Sequence, residues 1–436
     1  MSHARAAALL LALLPASCAR LAPYQTPTGV THWQDPHPPT LSLRAKADLY
    51  QQRIATLHQM PDGVIRYSVA SSQGRDDYGD LPDGPFFAGL YLASQALRLA
   101  ASGEPAARGE VLKTLEGMAL LMDVTGQPGL LARWVARVPP PGTSAWQASS
   151  TRPGYFWRAD VSKDQVAGYA CGLGVALALL PDPEVRERVA RLAGPVAEHL
   201  RRNQLRIIDW DGERTTHGNL RARIALFPVG VNALIALALA KAADASSGEG
   251  RYSAELDADG YLRAAHWANL RAPGKTNRVN DNMAYMSLLA LLLLEQAPER
   301  SAALRETEAR LWEGVRGEHN AFFAAVHGLA SGEEPALREA ALALAEFPEQ
   351  KRDLPVDLTR PGFDFETRWW KSSKGLPRTT ALIPLYLRRA SSNLWVDDPQ
   401  LLVASLGKSG QAEYSGVDYL LAYWLAREQG FVGAED

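Results

Sequence analysis

Cysteine is almost absent: the 436 residues hold two, Cys18 and Cys171. A disulfide-stapled fold is excluded, and a chain of this length does not need one, because its core suffices. An excess of basic charge is also missing. With 46 Lys and Arg against 48 Asp and Glu, the net charge is -2, which speaks against broad nucleic-acid binding. No apolar run is long enough to span a bilayer. Gly407, Lys408 and Ser409 lack the upstream glycine of a phosphate-binding loop, and neither His-Glu-x-x-His nor Gly-x-Ser-x-Gly occurs. Glu318, His319 and His327 do not have zinc-ligand spacing. The stretch opening at Glu255 has His266 where a calcium loop needs an acid. No metal and no cofactor are expected.

What is present begins with a targeting signal. His3 and Arg5 precede the apolar run Ala6–Leu14, and Ala16 and Ser17 lead to Cys18. This is the layout of a secretory signal. The Ala-Ser-Cys ending resembles the cleavage site of bacterial lipoproteins, although Pro15 stands where those prefer an aliphatic residue. The resemblance implies lipidation of Cys18 and an anchor in the cell envelope, on the outer-membrane or periplasmic face. Without lipidation the chain would be secreted. Residues 19–41, rich in Pro, Thr and His, read as an extended tether. Residues 42–436 read as one domain.

Apolar periodicity and breakers predict twelve helices near 42–59, 84–102, 106–125, 163–180, 184–203, 225–244, 255–270, 280–296, 299–329, 334–347, 379–390 and 415–429, with a possible break at Gly317. Gly63–Val69 and Arg206–Glu213 predict short strands. Nearly all the long connections precede even-numbered helices, so they share one rim of an antiparallel array. Six helical hairpins in a chain of this length resemble the all-α (α/α)6 toroid of many glycoside hydrolases, polysaccharide lyases and sugar epimerases. The phrases Asp123–Arg133 and Asp160–Gln165 also resemble those of a group of bacterial proteins of this type, a likeness that brings no activity with it.

Polar side chains gather before the even helices. Trp157 and Arg158 precede Asp160 and Asp164 at one helix start. Glycosidic cleavage needs a proton donor and a base or nucleophile, normally two carboxylates. Ser162 and Gln165 have the form of a capping box, and Asp164 suits the helix dipole. Capping leaves Asp160 unexplained. Asp76, Asp77, Asp80 and Asp83 precede the second helix, where Asp83 also fits a cap. His217 lies in a polar loop and titrates near neutrality. Asn280 and Asp281 open another helix and suit sugar hydroxyls. Trp369 and Trp370, followed by Lys371 and Lys374, offer stacking faces beside positive charge, but the helix count puts them on the opposite rim. Cys171 and Gly168, Gly172 and Gly174 read as close-packing residues.

The expectation is a lipid-anchored, carbohydrate-active protein of glycoside hydrolase or polysaccharide lyase type. Asp160, Asp164, Asp83 and His217 are the catalytic candidates. Trp157, Arg158, Asp77, Asn280, Asp281, Trp369 and Trp370 are the binding candidates. The alternative is a non-catalytic envelope lipoprotein that binds a glycan, a peptide or a partner protein in the same cleft.

Overall fold

A computed structural model describes residues 37–70, 83–138, 145–224, 227–269, 278–352, 355–366, 376–389, 394, 398–403, 412–434 and 436. The helices are α1 (Leu43–Arg53, continued by one π turn, Ile54–His58), α2 (Gly84–Ser102), α3 (Pro105–Asp123), α4 (Lys163–Leu179), α5 (Pro183–Arg202), α6 (Gly230–Ser247), α7 (Arg251–Ala258), α8 (Tyr261–Ala265), α9 (Arg278–Leu294), α10 (Pro298–Val315), α11 (Ala321–Ser331), α12 (Glu334–Glu346) and α13 (Val417–Glu428).

Six of them close a ring: α2 packs on α4, α4 on α6, α6 on α9, α9 on α11, α11 on α13, and α13 on α2. The rest form an outer layer, giving an all-α toroid. Sequence decides which helices go inside. In α4 every residue from Gln165 to Leu177 is buried, so this helix has no polar face to show to water. In α5 burial is confined to Val185, Val189, Leu192, Ala193, Val196, Ala197 and Leu200, the stripe of an outer amphipathic helix. At the far rim the turns are tight. Gly103 and Gly332 adopt the left-handed conformation that ends α2 and α11, and a proline follows in the first turn of α3 and α12.

Glycine sets the closest contact. A Cβ on Gly168 would lie 2.6 Å from the Phe86 carbonyl oxygen, and one on Gly172 would lie 2.3 Å from that of Gly89. Thus α2 and α4 meet backbone to backbone. Cys171 is fully buried in the same helix, with its thiol pushed up to about 12 by burial. No described helix is long and apolar enough to cross a membrane.

Four predicted elements are corrected. The stretch 299–329 is two helices, α10 and α11, split by residues 316–320, where His319 is left-handed (φ 52°) and Asn320 caps the Phe322 and Phe323 amides. The stretch 255–270 holds only the short α7 and α8, broken at Asp259 and the left-handed Gly260. The helix near 225–244 starts at Gly230, because Arg223–Ile224 and Phe227–Pro228 pair as strands. The predicted helix 379–390 does not form. That stretch holds one 3-10 turn, Leu385–Leu387. Its apolar residues instead build a small satellite core, Val356, Leu358, Ile383, Leu387 and Leu402.

The last correction changes the topology. The whole connection from Phe347 to Gly416 joins an outer helix to the start of an inner one. Its described ends, at Phe347 and Gly416, therefore lie on the same rim as the other long connections.

Candidate functional site

The connection between α3 and α4 folds into a three-stranded antiparallel sheet of β2 (Trp134–Ala136), β3 (Trp146–Ala148) and β4 (Phe156–Arg158), ordered β2-β4-β3. Trp157 pairs with Val135 and Gln147 across this sheet and is only 3% exposed, so its ring has no free face for a sugar. The sheet's edge leads to Arg133, whose N–H donates to the Arg158 carbonyl (2.8 Å) and whose own carbonyl accepts from the Gly84 amide (3.0 Å). Arg133 is thereby fixed between β4 and the start of α2.

From there its guanidinium reaches two ways. Nη2 donates to Asp83 Oδ1 at 2.8 Å, and Nη1 donates to the Asp160 carbonyl at 3.0 Å. Gln165 Nε2 donates to the same Asp83 oxygen at 3.1 Å. Asp83 is 2% exposed. Burial pushes its carboxyl up to about 6 against the pull of Arg133, and neighbouring Asp164 adds to the rise. Two sequence expectations are corrected here. Asp83 makes no side-chain cap for α2, and Ser162 makes none for α4. Gln165 Nε2 donates to the buried Asp83 carboxyl, and its Oε1, the atom a capping box would aim at the Ser162 amide, makes no hydrogen bond.

Asp160 is left-handed (φ 63°), a conformation that L residues other than Asn and Asp rarely hold. Its N–H donates to Asp209 Oδ2 (2.8 Å), and its Oδ1 accepts the Thr216 N–H (2.7 Å). With the Arg133 bond to its carbonyl, its amide, carbonyl and carboxylate all bind the sheet to the hairpin of β5 (Arg206–Ile208) and β6 (Arg214–Asn219). Asp209, itself buried, has its carboxyl raised by desolvation. His217 is exposed on β6, one residue beyond Thr216.

Asp164 is half-buried in the first turn of α4, near enough to Asp83 to influence it. Arg158 is half-buried beside Asp83 and Asp160. Burial, and then the like charge of Arg133, lower its guanidinium. Lys163, lowered by burial, donates to Asn232 Oδ1 at 2.8 Å, and Asn232 in turn donates to the Asn219 and Arg221 carbonyls. The structure thus brings Asp83, Asp160, Asp164 and Arg158 together at one point of the rim, with His217 on the adjoining strand. Two carboxyl groups there, Asp83 and Asp164, differ sharply in solvation, an arrangement able to separate an acid from a base.

In sequence, no model of a known family matches this chain, and no curated protein matches it. Among solved structures, the chain is similar to the crystal structure of a family 76 glycoside hydrolase from a bovine Bacteroides thetaiotaomicron strain. The identity is 10%, the TM-score is 0.47, and the match covers 89% of this chain and 77% of that one.

Of the remaining candidates, Asn280 and Asp281 are described, at the start of α9. Asp281 is buried at the start of α9 and accepts from Arg278 at 3.2 Å, while Arg278 also pairs with Glu318. Asn280 is half-buried beside it. Their carboxylate–guanidinium contacts tie α9 to the turn before α11, so this cluster holds helices together. Asp77, Trp369, Trp370 and Cys18 lie outside the described residues. Among the described residues, no group of three or more His, Cys, Asp or Glu is placed to hold a metal ion.

Sequence reasoning missed Arg133 and Asp209, which organise the cluster. Arg133 only ended a phrase that brought no activity with it, and Asp209 read as part of the short-strand stretch Arg206–Glu213. It also missed three exposed aromatics near the rim, Trp210, Phe227 and Trp267, 46%, 72% and 46% exposed. Their place in polar connections was the available signal.

Proposed function

We propose that this rim binds an oligosaccharide and cleaves it, by hydrolysis or by elimination, with carboxyl groups as acid and base. The observation that carries the reading is the buried Asp83 carboxyl, raised to about 6, beside the more solvated Asp164. In hydrolysis, a protonated Asp83 would give its proton to the departing glycosidic oxygen. Asp164 would take a proton from the attacking water. Asp160, the other acid–base candidate, is held at its amide, carbonyl and carboxylate and would position Arg133 and β6. Arg158, His217 and the exposed Trp210 are placed to contact substrate.

Lipidation at Cys18 would hold the domain at the envelope, within reach of extracytoplasmic glycans. Labelled palmitate should enter the full chain and be absent from Cys18→Ser.

A second reading, binding without turnover, draws on the engagement of Asp160 and of Asp83 Oδ1 by fixed donors. The two readings separate on a broad oligosaccharide and polysaccharide panel, read as new reducing ends and as ultraviolet absorbance of unsaturated products. Turnover that is lost in Asp83→Asn and Asp164→Asn supports catalysis. Saturable binding without turnover supports the second reading.

A further inference from the structure

Among the described residues, the outer layer of the toroid is thin beside α6. Where α3, α5 and α10 each run for 18 to 20 residues, the outer element after α6 is broken into α7 and α8, of 8 and 5 residues. Part of the outward side of α6 is consequently uncovered by helix. A cavity of about 450 Å³ opens there between α5, α6, α7 and the stretch after β6, within the range of small-molecule sites. Its floor is aliphatic, with Leu200, Leu239, Ala240 and Leu256.

Its lining carries three arginines, Arg201, Arg221 and Arg223, against two acids, Glu255 and Asp259. Arg221 donates Nε and Nη2 to the Gln204 carbonyl and side-chain oxygen (3.2 and 2.6 Å), which leaves Nη1 open. Arg223 is exposed and makes no ion pair with a described residue. Arg201, also lining the cavity, is already bound to Glu198. Gln204 and Leu205 line the wall in consecutive left-handed conformations (φ 53° and 58°), Gln204 held by the Arg221 bonds and Leu205 by backbone bonds to Leu200 and Leu220. Non-glycine residues keep such geometry only when their surroundings enforce it.

We infer that this cavity is a second binding site, for a small amphipathic anion with a short aliphatic body and a carboxylate head. The body would lie on Leu200, Leu239, Ala240 and Leu256, and the carboxylate would accept from Arg221 Nη1 and Arg223. Glu255 faces Arg201 Nη1 at 3.9 Å, so Arg221 and Arg223 stand against Asp259, which would repel a second negative charge. A monoanion is therefore the fitting charge. The site lies on the outward side of the ring and uses none of Asp83, Asp160 or Asp164.

The test is calorimetric titration of the full chain with octanoate, octylamine and 1-octanol. Octanoate should bind saturably at roughly 0.1–1 mM. Octanol should bind about tenfold more weakly and octylamine not at all. Arg221→Gln/Arg223→Gln should weaken octanoate about tenfold and bring it to the level of octanol. Ala240→Trp, which fills the floor, should abolish both. The double arginine variant alters only the mouth, so it decides the matter even if Ala240→Trp fails to fold. The inference is overturned if octanoate shows no saturable binding to the parent. It is equally overturned if the arginine variant binds octanoate as the parent does, or if octylamine binds as tightly.

Discussion

Gln165, in the first turn of one inner helix, donates its side-chain amide to Asp83, the residue before the next inner helix, across 3.1 Å. That bond spans the α2–α4 contact at the candidate site, so the buried carboxyl is tied to the closest helix pair of the ring. Asp83→Asn keeps a side chain that can still accept from Arg133 and Gln165 but cannot donate a proton as an acid. Catalytic turnover should fall about 10²–10⁴-fold with the fold retained.

The pH dependence of stability carries two opposed signatures. Asp83 has a folded pKa raised to about 6 from 3.8. Its contribution to stability is full below about pH 4 and is lost as pH rises to about 6. His58, fully buried and lowered to about 3 from 6.5 by burial, works the other way. Its contribution is present above pH 6.5 and is lost as pH falls toward 3. Denaturant unfolding at a series of pH values should show parent minus Asp83→Asn sloping downward from pH 4 to 6. Parent minus His58→Leu should slope upward over the same range, each by roughly 1 kcal/mol per pH unit at most.

Gly168 and Gly194 are both helical, and they should respond to alanine with opposite signs. A Cβ on Gly168 meets the Phe86 backbone at 2.6 Å, while one on Gly194 meets nothing within 4 Å. Gly168→Ala should cost about 1–3 kcal/mol or more. Gly194→Ala, in the interior of α5, should gain about 0.5–1 kcal/mol. Urea midpoints of the two variants against the parent check this.

Asp160 should tolerate amide but not methyl. Asn holds the left-handed backbone and keeps an oxygen for the Thr216 amide. Ala loses that bond and adds strain at φ 63°. Asp160→Ala should therefore lose about 1–3 kcal/mol more stability than Asp160→Asn.

The helical hairpins were legible in the sequence wherever apolar runs met a proline or a glycine. The starts at Gly84, Lys163 and Pro183 fall within a residue of expectation. The misplaced helix at 379–390 has the same apolar content, but its residues serve a satellite core with Val356 and Leu402, a long-range choice that local periodicity does not encode. At the site, Asp83 and Asp164 stood out as acids before helices. Arg133, which ties the site together, did not, because its partners lie 50 and 27 positions away. The capping box at Ser162 and Gln165 was plausible locally but does not form, and the Gln165 donor serves Asp83 instead.

The central claim is that Asp83 and Asp164 form an acid–base pair acting on a glycan. The most direct measurement is turnover by the purified chain on the glycan panel, compared with Asp83→Asn, Asp164→Asn and Asp160→Asn. The account predicts cleavage by the parent, near-complete loss in the first two variants, and a smaller loss in the third. Cleavage that survives in Asp83→Asn and Asp164→Asn would contradict it, as would a folded parent that cleaves nothing on the panel.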